Sequence, residues 1–121
     1  MPNQRADYQT VEMQILAHHI YEYKKGLRNL VLITINTDEL NKAEKLLVRK
    51  GISYFLLEVN VNKVNIFFGN ELCIKIIQSF DKKSLSDYTN EEDFMLGTML
   101  GYDCVQQCER YLERKGKGVE N

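Results

Sequence analysis

Proline is nearly missing from this chain: apart from Pro2 there is none. No Ser/Gly-rich or low-complexity stretch divides the sequence either, so nothing in it reads as an interdomain linker. Cysteine is scarce. Three residues, an odd number without a tight framework, suit a reducing compartment and not a disulfide-stapled secreted domain. A charge surplus is also absent. Sixteen Lys+Arg stand against seventeen Asp+Glu, a formal net charge of −1, which leaves no whole-chain field to gather nucleic acid or an anionic membrane. Apolar runs such as Leu30-Val31-Leu32-Ile33 are far shorter than the roughly 18 residues a spanning helix needs. The residues from Met1 to Asp7 are polar, and Glu12 and Gln14 interrupt the first apolar stretch. The expectation is a cytoplasmic protein without a secretory signal.

What remains is the composition of one ordinary domain. The 121 residues, 44% hydrophobic and 27% charged, suffice to bury a single core and are too few for two. The layout expected is an N-terminal extension over 1–12, a single domain over 13–115 and a frayed tail over 116–121.

Periodicity assigns the elements. Met13, Leu16, Ala17, Ile20 and Tyr23 follow helical spacing, and Lys24-Lys25-Gly26 supply a C-terminal charge and cap, so a helix is expected over about 10–25. From Asn29 to Ile35 the run is β-branched and apolar on both alternating faces, a strand covered on two sides. Asn36-Thr37-Asp38-Glu39 offer capping side chains for a helix whose stripe is Leu40, Ala43, Leu46 and Leu47. Ile52–Val59 and Val64–Phe68, joined through Asn60-Val61-Asn62-Lys63, form a β-hairpin. Asn70 opens a third helix with the stripe Leu72, Cys73, Ile76, Ile77 and Phe80. Thr89-Asn90-Glu91-Glu92 is a capping box that starts a fourth, with helical spacing to about Lys115 and a break near Gly101. This order predicts an α+β fold with a three-stranded sheet ordered 1-3-2, a ferredoxin-like split unit, and about five helices. If helices two and three cover one face, the other must meet helix one, the C-terminal helices or a second chain.

Few residues suggest chemistry. His18 and His19 are adjacent, so their side chains diverge by about 100° on a helix, and joint ligation of one metal is disfavoured. One packed and one exposed histidine is the commoner arrangement. Cys104 and Cys108 share a helix face at a spacing able to hold two metal ligands, yet no CxxC occurs, and burial of small thiols is the usual outcome. Together with Gly97 and Gly101 they form a stripe of small residues that admits a close neighbour. Gly97 to Gly101 lies inside a helical pattern and makes no phosphate loop. Asp87, Glu91, Glu92 and Asp93 read as solvated capping charge. Lys24, Lys25 and Arg28 beside Tyr21 and Tyr23 are a basic patch able to take an anion or a ligand phosphate, although such patches are usually plain surface. There is no serine elbow and no paired-carboxylate motif, and no cofactor is expected.

The segments His18-His19-Ile20-Tyr21-Glu22-Tyr23-Lys24-Lys25-Gly26, Asn65-Ile66-Phe67-Phe68-Gly69, Glu92-Asp93-Phe94 with Gly97, Gly101-Tyr102-Asp103, and Gln106-Gln107-Cys108-Glu109-Arg110-Tyr111-Leu112 carry a resemblance. Over about residues 13–115 the chain resembles a small bacterial family of unknown function, numbered two thousand and twenty-three and typical of Bacteroidetes-type bacteria. The resemblance implies three strands, five helices and a homodimer, and it carries no catalytic residue. It also implies a link to a flavodoxin-type redox partner, through neighbouring genes.

Three readings stay open. The first is a non-enzymatic homodimer acting as an interaction or accessory module. It would dimerise through an uncovered sheet face or the free edge of strand one, with Leu30, Leu32, Ile33, Gly97 and Gly101 as interface candidates, because that strand is apolar on both faces although the strand order makes it an edge. The second is a small enzyme or metal-binding protein using His18 or His19 with Cys104 and Cys108. The third, on fold analogy alone, is ligand sensing at the sheet.

Overall fold

The computed structural model describes residues 10–120. The first nine residues of the expected N-terminal extension lie outside the described residues, and Thr10 already caps a helix by accepting the Met13 N–H. In chain order the elements are α1 (Val11–Lys24), β1 (Leu30–Asn36), α2 (Leu40–Arg49), β2 (Ser53–Glu58), β3 (Lys63–Gly69), α3 (Glu71–Ser79), α4 (Asn90–Leu100) and α5 (Cys104–Glu120). The α+β class and the predicted succession of elements are both observed. So is the strand order, β1-β3-β2, with β3 antiparallel to both neighbours.

Helices two and three do not share a face. α1 and α2 pack on one side of the sheet, where Met13, Leu16, Ile20, Ala43, Leu46 and Leu47 meet Val31, Ile35, Val64, Ile66 and Phe68. α3 and α4 pack on the other, where Ile74, Ile77, Leu96 and Leu100 meet Leu30, Leu57 and Phe67. The molecule is therefore three layers with two cores and one sheet between them. This arrangement accounts for the two-faced apolar character of β1 inside a single chain. Leu30 and Val31 are both fully buried, one on each side.

Local chemistry explains most boundaries. The capping box at α4 forms as expected: the Thr89 hydroxyl accepts the Glu92 N–H, and the Glu92 carboxylate accepts the Thr89 N–H. Gly101 ends that helix in the left-handed conformation at φ 85°, so the break near Gly101 is real. At α2 the expected cap is not made. A 3-10 turn over Thr37–Glu39 precedes the helix without a side-chain cap, and Asn36 instead donates both its backbone and its carboxamide N–H to the Glu12 carboxylate. On α3 the predicted stripe is observed in part: Ile77 is buried and Cys73 and Phe80 pack against the same core, while Leu72 and Ile76 are exposed and Ile74 takes the buried position instead. The last helix runs to Glu120, past its expected end near Lys115; Arg114 and Lys115 tie it to α4 through Asp93 and Glu91. Among the described residues no helix is long and apolar enough to cross a membrane.

Candidate interaction surfaces

The structure separates the residues singled out in the sequence into three places. On α1, His18 is exposed and His19 half-buried, and both reach the Glu22 carboxylate, at 3.6 and 3.4 Å. Arg28 joins them, 3.5 Å from Glu22 and 3.3 Å from His19 Nδ1. Glu22 thus sits at the centre of a small charge cluster. The basic patch is divided among internal partners: Lys24 donates to the Lys50 carbonyl at 2.9 Å, Lys25 lies over the Tyr21 ring, and Arg28 is held by Glu22. The cleft of about 320 Å³ beside Tyr21 and Lys24 has Ala17, Ile20 and Leu46 as its floor, and one of its lysines is already committed to a helix end. Among the described residues no group of three or more His, Cys, Asp or Glu is placed to hold a metal ion. His18 and His19 stand on the α1 side of the sheet, whereas Cys104 and Cys108 stand on α5, which packs against α4 on the other side. The structure does not bring the two pairs together.

The second place is the open edge of β1. Asn36 directs its N–H away from β3, to Glu12, whereas Thr37 donates to Asn62 on the β3 side. Backbone groups alternate along an antiparallel strand, so Leu32 and Thr34 also present theirs to the open edge. No charged residue, proline or bulge guards this edge over Leu30–Asn36, the devices by which isolated sheets protect themselves. The exposed Thr34 donates its hydroxyl to the buried Asn65 carboxamide of β3.

Beside that edge lies a cleft of about 260 Å³, floored by Leu32, Leu96, Gly97 and Leu100 and rimmed by Tyr102, Gln107 and the Asp93–Arg110 pair. Two of the interface candidates, Leu32 and Gly97, meet here, and Gly101 makes the turn above it. Leu30 is spent in the core, and Ile33 packs half-buried on the α1–α2 side. Gly97 is small for a reason the structure supplies: a Cβ there would overlap the Gln107 carboxamide. Gln107 is only 7% exposed. Its role was not legible in the sequence, since a glutamine between polar neighbours carries no periodic signal.

The third place is the α4–α5 hairpin. Three of the four carboxylates expected to be solvated capping charge, Glu91, Glu92 and Asp93, are partnered. Asp93 accepts from Arg110 Nε at 2.8 Å and pairs with Arg114 at 2.9 Å. Arg110 holds the Asp93 carboxyl below the usual range. Glu91 accepts from Tyr111 and Lys115, and the hydrogen bonds from Lys115 and Tyr111 bring it down to about 2. Glu92 is lowered chiefly by Lys82, 2.7 Å away. The small-residue stripe is broken at Gly101 into two helices of different direction. Cys104 and Cys108 are both exposed instead of packed, because α5 turns Gln107, Arg110, Tyr111 and Arg114 toward α4.

The family described as Protein of unknown function (DUF2023) matches residues 14–114. Among curated proteins none matches.

Proposed function

The chain belongs to the DUF2023 family, and from that premise and the open edge of β1 we propose that it is a non-enzymatic, cytoplasmic interaction module working as a two-fold homodimer. The carrying observation is the unguarded edge, a seven-residue strand without charge. An isolated sheet would leave this edge as a template for adventitious pairing. Both faces of the sheet are covered by helices, so a second copy is expected at the edge and not on a face. Pairing β1 with its symmetry mate about Ile33 sets Leu32 opposite Thr34 of the other copy and makes a continuous six-stranded sheet. A stable interface of this kind buries about 2,000 Å² or more, more than two strands supply, and the α4–α5 hairpin beside the edge provides the remaining surface. The accessory role toward a flavodoxin-type protein rests on the family resemblance, and co-purification of the two from the native cell is its test.

Light scattering over a dilution series should give twice the chain mass for the wild type. Thr34→Lys places a charge at an exposed edge position and should shift the population to folded monomer. A wild-type chain that stays monomeric and folded at high micromolar concentration would sink the proposal.

A further inference from the structure

Free cysteine is among the most buried residue types, yet this chain exposes two of its three on one helix. They are the first residue of α5 and the residue one turn on. Four positions apart on a helix, they share a face, and the Cys108 thiol is pushed up by desolvation and, after it, by its neighbour Cys104. Nothing in the packing of α5 needs them, since its inward face is made by other side chains.

Two chemistries use a pair of adjacent thiols, and helix geometry separates them. A disulfide needs its Cβ atoms about 3.5–4.5 Å apart, whereas positions four apart on a helix hold them about 5–6 Å apart. Closing that bond would deform the first turn of α5. A bridging metal relaxes the requirement, because two metal–sulfur bonds of about 2.3 Å let the sulfur atoms stand up to roughly 4.6 Å apart. The ligand count then selects the ion. Among the described residues no third His, Cys, Asp or Glu joins the pair, so the closed tetrahedral shell of structural zinc cannot be completed here. Thiolates alone favour soft ions, above all monovalent copper.

We propose that Cys104 and Cys108 form an exposed two-thiolate site for monovalent copper. Binding releases the two S–H protons to solvent and forms two copper–sulfur bonds; the copper keeps its oxidation state, and no co-reactant is consumed. Because both ligands face solvent on an outer helix, the site is one of exchange: an incoming thiol can reach the ion without the fold opening. The site does not depend on the dimer.

The test is an anaerobic titration of the reduced full-length chain with monovalent copper against a chromophoric chelator. One copper per chain should be withheld from the chelator. Cys104→Ser and Cys108→Ser should each weaken binding by more than the roughly 100-fold that loss of a ligand's hydrogen-bond partner costs, with circular dichroism unchanged since both positions are exposed. Cys73→Ser should bind as the wild type does. No copper withheld from the chelator, equal loss in Cys73→Ser, or one copper per two chains would each overturn the proposal. So would ready closure of a Cys104–Cys108 disulfide by diamide in a chain that holds no copper.

Discussion

At Gly97 and Gly101 the same residue type is required for different reasons, and substitution tells them apart. Alanine at Gly97 drives a methyl group into the Gln107 carboxamide, an overpacking that should cost about 1–3 kcal/mol. The obstacle is the end of a flexible side chain, so Gln107→Ala in the same chain should return most of the loss in a urea titration. At Gly101 a methyl group would meet nothing within 4 Å, but the backbone holds φ at 85°. Alanine there should cost about 1–2 kcal/mol from backbone strain, and asparagine less, since it tolerates the left-handed region. The sequence shows that these residues are small. It cannot show that one faces a glutamine and the other open space, because both facts depend on where α5 returns. The cysteines illustrate the same limit: their spacing along α5 was legible, and their exposure was not.

Elements with short-range causes were the legible ones. The capping box, the hairpin turn and the glycine that ends α4 are each fixed by residues within a few positions. The phase of α3 was legible only in part, because Leu72, Ile74, Ile76 and Ile77 place apolar side chains around too much of its circumference for periodicity to choose a single face. The α4–α5 clasp was also hidden, since its ion pairs join residues 17 to 24 positions apart, from Asp93 to Arg110 and from Glu91 to Lys115. The clasp makes α5 sensitive to acid. Asp93, Glu91 and Glu92 all titrate lower in the folded chain than the unfolded value of about 4. Their stabilisation is therefore complete above that value and is lost as pH falls through the folded values, Glu91's being about 2. Hydrogen exchange between pH 5 and pH 2, corrected for intrinsic rates, should show α5 amides losing protection before β3 does. Asp93→Asn should flatten part of that dependence; an α5 that releases together with β3 would contradict it.

For the whole molecule, the order β1-β3-β2 follows from connectivity: a helical crossover makes β1 and β2 parallel, and a hairpin sets β3 against β2. Which helices cover which face lies beyond such rules, since it is decided by both cores closing at once. β3 belongs to both cores, and every residue from Val64 to Gly69 is buried. Its amides should be the slowest to exchange in the protein. Ile66→Ala should cost about 2–5 kcal/mol in a single cooperative transition, because neither core keeps its floor without this strand; two separate transitions would show the layers to be independent. The central position of β3 also sets a schedule. β1 leaves the ribosome first, but its hydrogen-bonding partner ends only at Gly69, so at about 5–20 residues per second the apolar strand waits some seconds with neither edge satisfied. Through that interval the nascent chain exposes the edge by which finished copies are proposed to pair. In a polysome, where neighbouring chains wait side by side, the strand proposed to join two folded subunits is also the first one able to join two unfinished ones.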